Sequence, residues 1–225
     1  MQMFRDRREA GRKLAAALSN FADANVVVLA LVRGGVVLGE EVARALRAPL
    51  DIVLVRKIGA PHQPELAVGA VVDGPKPEIV VNPGIAEFVQ SPRDYIDREA
   101  KRQLVEIERR RKLYQSGREQ IDITGRTAIV VDDGIATGAT TRAALRAVRR
   151  RKPGHLVLAV PVAPPTALES LREEVDEIIC LETPESFHAI GAFYFDFKQV
   201  SDSEVIAALD RARARLSQAQ EESRT

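Results

Sequence analysis

The chain is poor in the residues that most often announce a chemistry. It has one cysteine, Cys180, in 225 residues, so no internal disulfide can form and a reducing compartment suits it. Cys180 sits in the apolar run 177–181, where a buried strand thiol is the simpler reading than a reactive one. Its three histidines, His62, His155 and His188, are scattered without metal-ligand spacing. No apolar run approaches the roughly 20 residues that span a bilayer, and residues 1–9 carry no apolar leader core. A cytoplasmic protein with no membrane partner is expected. The formal net charge of +1 gives no overall pull toward nucleic acid. Basic runs at 109–112 and 149–152 end predicted helices, where the dipole favours cations, and no aromatics interleave with them for stacking. The remaining composition, 45% hydrophobic and 29% charged, is that of an ordinary globular domain.

Apolar runs of strand length alternate with helical spacings. Residues 26–32, 51–57, 128–131, 156–162 and 175–181 read as strands. Helices are expected over 36–47, 93–114, 142–152, 165–172 and 203–219. Residues 66–72 and 78–81 read as a hairpin around Asp73-Gly74-Pro75. The 93–114 helix has a narrow apolar stripe (Ile96, Ala100, Leu104, Ile107) and charge pairs at i,i+4, so it should lean on the domain from outside. Residues 189–195 are expected to be extended. The alternation argues for an α/β fold with a parallel sheet flanked by helices on both faces. The whole chain, 1–225, is read as a single domain with its core at about 26–182. Small hood pieces are expected from about 58–92 and 183–202, before the C-terminal helix.

The segment 128–141, Ala-Ile-Val-Val-Asp-Asp-Gly-Ile-Ala-Thr-Gly-Ala-Thr-Thr, carries the chemistry. A buried strand ends in Asp132 and Asp133, and a Gly/Thr loop then opens a helix. Ligands of open α/β sheets bind at the carboxyl ends of strands, and a helix N-terminus suits a phosphate. Carboxylates repel phosphate but accept hydrogen bonds from hydroxyls. A ribose 5-phosphate fits both halves. An Asp pair serving only as polar capping is the plainer alternative. A P-loop is excluded, since no Gly-Lys-Ser/Thr follows Gly134.

The motif resembles the signature of the type I phosphoribosyltransferases, with Val130-Val131-Asp132-Asp133 followed by Ala136-Thr137-Gly138-Ala139-Thr140. It departs at Gly134, where that family usually has an aliphatic residue, so looser local packing is expected. The resemblance implies phosphoribosyl pyrophosphate as donor. Asp132 and Asp133 would hold the ribose hydroxyls and favour an oxocarbenium-like transition state. Ala136, Thr137, Gly138, Ala139, Thr140 and Thr141 would cradle the 5′-phosphate. Mg²⁺ is the implied cofactor, carried mainly by donor oxygens and water, with Asp132 or Asp196 as the candidate protein contact. A homo-oligomer is also compatible.

Arg33-Gly34-Gly35, after the first strand, resembles the family's pyrophosphate loop. There the resemblance implies a non-proline cis peptide, placed at the bond between Arg33 and Gly34. Arg56 and Lys57, at the end of the second strand, resemble basic residues that face pyrophosphate in the adenine and orotate branches. Arg33 and Lys57 would stabilise the departing diphosphate. Residues 183–196 resemble the hood of purine-salvage enzymes, where either Phe187 or Phe193 would stack on a base. An aromatic strand packed on the core is an equal reading of that stretch.

Two departures bear on the acceptor. Ala136 stands where 6-oxopurine enzymes carry an acidic residue, and Pro161-Val-Ala-Pro-Pro165 holds no lysine to read a 6-oxo group. The donor half is therefore legible and the acceptor half is not. Transfer to a nitrogen nucleophile, such as a nucleobase, is the expected activity. A non-catalytic domain that binds donor or nucleotide and regulates something else is the alternative, since fold does not fix function. Water as acceptor is a third. A lid is expected from 114–126, a polar stretch with little apolar surface to pin it.

Overall fold

The computed structural model describes residues 3–22, 25–73, 77–81, 83–88, 93–115 and 120–222. The expected parallel sheet has five strands in the order β2 (Leu50–Val53), β1 (Val26–Leu31), β6 (Thr127–Val131), β7 (His155–Val162) and β8 (Glu177–Glu182). All its neighbours are parallel. Alternate residues of each central strand feed two separate apolar layers. Val26, Val28, Ala30, Ile129 and Val131 face one layer, and Val27, Leu29, Leu31, Ala128 and Val130 the other. Burial on both sides is why these strands read as continuous apolar runs. The first layer is closed by α1 (Arg7–Ala17), α2 (Gly34–Ala45) and α7 (Asp202–Glu222). The second is closed by α5 (Ala139–Arg150) and α6 (Pro165–Leu171).

The segment 51–57 is not one strand, as its unbroken apolar run suggests. Main-sheet pairing stops at Val53, opposite Leu31. The chain then enters β3 (Val55–Ala60), the first strand of a small antiparallel sheet completed by β4 (Gln63–Val72) and β5 (Glu78–Val81). Ile58 and Ala60 of β3 are themselves buried, so hydrophobicity cannot mark where the chain changes sheets. The expected hairpin is β4 with β5, paired from Gly69 opposite Val81 to Val72 opposite Glu78. Its turn residues 74–76 lie outside the described residues. After the short α3 (Pro83–Phe88), α4 (Arg93–Gln115) leans as expected, with Ile96, Ala100 and Ile107 buried. Its Glu106–Arg110 and Glu108–Lys112 pairs form at 2.7 and 3.5 Å.

Helix α1 starts in a densely charged stretch that masks it in the sequence. Its signals are nonetheless local. Asp6 caps it by accepting from Glu9 N at 2.8 Å, and Ala10, Leu14 and Leu18 form an i,i+4 buried stripe. Residues 189–195 are not extended throughout. Ile190–Phe193 is a 3₁₀ turn, and Tyr194 then bridges to Phe4 in parallel. Within the expected lid, 114–126, the described residues Tyr114, Ile121 and Ile123 are anchored. Tyr114 and Ile123 are fully buried, Ile121 N donates to the Asp51 carboxylate at 2.9 Å, and Arg151 donates to Ile121 O at 2.6 Å. Residues 116–119 of the expected lid lie outside the described residues. Among the described residues, no helix is long and apolar enough to cross a membrane.

Candidate active site

From β1 the chain moves to β2 on one side, and β6 lies on the other. The strand order therefore reverses between β1 and β6, the place where open α/β sheets form a crevice. Ala30 pairs with Val131, so the two strands end level. Residues 33–35 and the Asp pair consequently emerge side by side. A Cβ on Gly35 would sit 2.6 Å from Val131 O, and a Cβ on Gly34 would collide with the Asp133 carboxylate. Only a pair of glycines lets this loop lie directly on the acidic pair. A cis peptide is present in the loop, but between Val32 and Arg33, one bond earlier than the resemblance implied.

The two carboxylates are held differently. Asp132 Oδ1 accepts from Asp133 N at 2.9 Å, and Asp133 Oδ2 accepts from Arg7 Nε at 2.8 Å. Burial raises both carboxyls above their usual range. The charge of Asp133 pushes Asp132 further up, while Arg7 pulls Asp133 back down. Tyr194 closes the site from the C-terminal segment, its hydroxyl donating to Asp133 O at 2.6 Å. Next in sequence, Gly134 does not loosen the packing. Ile190 occupies the space, with its Cγ2 2.6 Å from where a Cβ on Gly134 would be.

Ile135 N bonds Val162 O at 2.9 Å, which turns the loop back over the sheet. Ala136 and Thr137 are exposed. Gly138 takes φ +76° as the residue capping α5, a left-handed conformation natural to glycine. The helix begins at Ala139, three residues earlier than expected, so Thr140 and Thr141 lie in its first turn. First-turn N–H groups have no partner within a helix and suit an anion. Thr140 also borders a cavity of about 520 Å³ shared with Arg56, Lys57, Tyr95, Glu99 and Gln103. Arg56 Nε donates to Gln103 at 2.9 Å, and Tyr95 donates to Gly59 O at 3.0 Å, so α4 forms the cavity's outer wall.

The chain has relatives among known proteins. The profile of the phosphoribosyl transferase domain matches residues 5–198. The chain belongs to that family. It is 44% identical over 220 residues, 97% of its length, to the Mycobacterium tuberculosis protein named "Putative phosphoribosyl transferase Rv0571c". The chain spans about half the length of the curated relatives it matches, 49% in this case. Among solved structures, TT1426 from Thermus thermophilus is 45% identical with a TM-score of 0.79, covering 93% of this chain and 98% of that one. The AQ2163 protein from Aquifex aeolicus, 13% identical with a TM-score of 0.50, shares the fold over 82% of this chain and 78% of its own.

Not every phosphoribosyltransferase-like position comes together. Gly34, Gly35, Asp132 and Asp133 do, and Ala139 to Thr141 open the helix that follows the same loop. Arg33 Nη1 lies 3.6 Å from Asp202, which also accepts from the Tyr114 hydroxyl at 2.5 Å. Arg56 and Lys57 belong to the small sheet rather than to a main-sheet strand end. Phe193 is 1% exposed and stacks on half-buried Phe187, with 5.4 Å between ring centres. Asp196 is exposed and paired with Lys198 at 3.0 Å. The residue missed outright is Arg7, 126 positions from its partner Asp133. No motif reaches that far, although the capped helix that carries Arg7 was readable.

Proposed function

We propose that the chain is a phosphoribosyltransferase that takes phosphoribosyl pyrophosphate with Mg²⁺ and transfers the 5-phosphoribosyl group to a nitrogen nucleophile, releasing pyrophosphate. The observation that carries this is the seating of the Arg33-Gly34-Gly35 backbone directly on the Asp132–Asp133 carboxylates, with the α5 N-terminus next along the same chain segment. A ligand lying there meets backbone donors, two carboxylates and a phosphate-binding helix start in the order of a diphosphate, a ribose diol and a 5′-phosphate.

In this reading Asp132 and Asp133 accept from the ribose hydroxyls. Their negative charge favours the cationic character that develops at the anomeric carbon. Gly138 admits the 5′-phosphate close to the backbone, and Thr140 and Thr141 contribute hydroxyls. Arg33, Arg56 and Lys57 offset the charge of the leaving diphosphate. The donor set fits Mg²⁺ of the kind held through substrate oxygens. Mg²⁺ typically keeps its waters and takes one or two carboxylates, which the adjacent Asp132 and Asp133 can supply. Asp132 would be the protein carboxylate that contributes, with Asp196 as the alternative. When bound, the ion neutralises diphosphate charge. The cytoplasm is the compartment that suits this donor.

The second reading is a domain that binds donor or nucleotide without turnover. Ala136 favours it, because its methyl group cannot act as a general base at the loop position nearest the acceptor in the resembling enzymes. Pyrophosphate release measured with donor, Mg²⁺ and a panel of nucleobases separates the two. Release that depends on one base establishes transfer. Donor binding with no release from any base establishes the regulator.

A further inference from the structure

The proposed function gives Arg7 no role, yet Arg7 is fixed from three directions at the centre of the site. Its Nε donates to Asp133 Oδ2 at 2.8 Å, its Nη1 donates to Lys198 O at 2.7 Å, and its guanidinium lies 3.8 Å from the centre of the Phe197 ring. Both members of the ion pair are nearly buried, with side-chain exposures of 11% for Arg7 and 14% for Asp133. The same Nε lies 3.1 Å from where a Cβ on Gly34 would stand, and the Asp133 carboxylate fills that very space. The carboxylate is thus held between the diphosphate loop on one side and Arg7 on the other.

We propose that Arg7 is a positioning residue for donor binding: it holds the Asp133 carboxylate in the orientation that receives the ribose, and it ties that carboxylate to residues 197–198. The inference rests on the donor reading above. Asp132 and Asp133 are adjacent and repel each other, so a carboxylate with no cation beside it would turn away from its neighbour. A guanidinium restrains it without blocking both oxygens, because one N–H takes Oδ2 while the rest of the group is anchored elsewhere. Lysine, a compact point charge, can supply the attraction but not the fork and the stacked face together. The α1 helix thereby becomes part of the site although it carries no motif.

The test is calorimetric binding of phosphoribosyl pyrophosphate with Mg²⁺, and of ribose 5-phosphate, to wild type, R7M, R7K and F197L, with the unliganded melting temperature of each. R7M is expected to weaken both ligands by about ten-fold or more, the scale of losing a hydrogen bond to a charged group. R7K should recover part of that loss. F197L, which removes the stacked face but keeps the ion pair, should weaken both ligands less than R7M does. Donor affinity unchanged in R7M overturns the proposal, as do equal losses in R7M and F197L, which would mean packing alone. A loss confined to the diphosphate ligand also overturns it, since Arg7 would then touch the diphosphate directly. Should R7M not fold, R7K with wild-type affinity for both ligands is the overturning result. Failure of the wild-type protein to bind donor sinks the proposed function itself and is read separately.

Discussion

The proposed phosphate loop can be tested at one residue, Gly138. Gly138 holds φ +76°, where an L-residue carries a penalty of about 1–2 kcal/mol. A Cβ there would also lie 3.4 Å from Leu171 Cδ1, a contact the leucine can yield to. Gly138→Ala should therefore fold with a melting temperature a few degrees lower, while donor binding falls by more than the stability loss explains. Gly138→Val adds a β-branched side chain in the same conformation and should abolish donor binding. Binding titrations alongside thermal melts check both, and normal donor affinity in the valine variant would place the 5′-phosphate elsewhere. Gly35→Ala is the companion change at the diphosphate loop. Its Cβ would meet Val131 O at 2.6 Å, backbone against backbone with nothing flexible to move, so loss of both stability and binding is expected. The two glycines act on different terms, one through its dihedral angle and the other through its missing atom.

At the scale of elements, much of the architecture was legible because the physics was local. Strands buried on both faces read as apolar runs, the Asp pair marked a strand end, and the hairpin announced itself through its turn residues. What stayed hidden was set by long-range packing. The apolar run through Leu54 conceals a change of sheet, since both strands it feeds are buried. Arg7 meets Asp133 only once α1 crosses the ends of the sheet. The docking of α7 was equally invisible. Val205, Ala208, Leu209 and Ala212 form its buried stripe, and Arg211 grips Glu40 of α2 through two bonds of 2.7 Å. Burial works to raise the Glu40 carboxyl, but Arg211, Arg215 and Arg8 together hold it below its usual range. Arg211 is itself half exposed, so Arg211→Met should cost about 1–2 kcal/mol in denaturant unfolding, less than breaking a fully buried pair. The pH dependence has a definite sign. A carboxyl lowered in the folded state contributes stability above its unfolded value, about 4.3 for Glu. That contribution is lost as pH falls through the lower folded value. Glu40→Gln should thus flatten part of the acid-side fall in stability, below about pH 4.3, and leave its shape above pH 6 unaltered. An identical acid slope in the variant would remove Glu40 from the account.

For the whole molecule, the donor should act as a clamp on parts that the sequence keeps far apart. The site draws on α1 through Arg7, on the β1–α2 loop, on the β6–α5 loop and on the C-terminal segment through Tyr194. A ligand that bridges these pieces binds only the folded chain. It stabilises by about 2.7 kcal/mol at a hundred times its dissociation constant. Donor with Mg²⁺ at millimolar concentration should therefore raise the melting temperature measurably, and a flat melting curve would remove the donor reading altogether. Amide exchange then distinguishes closure from simple occupancy. The described part of the segment expected to form a lid is already anchored. Ile123 is fully buried and Ile121 N is bonded to Asp51, so amides 121 and 123 should exchange slowly with or without donor. Protection gained on binding should concentrate instead in residues 33–35, 132–141 and 194–198, which form the walls of the site. If residues 120–126 exchange fast without donor and slow with it, the segment is a lid after all, and its contacts with Asp51 and Arg151 belong to the closed state alone. If no segment changes while calorimetry shows donor bound, the site is rigid, and the long reach between Arg7 and Asp133 serves to build the site in advance rather than to close it.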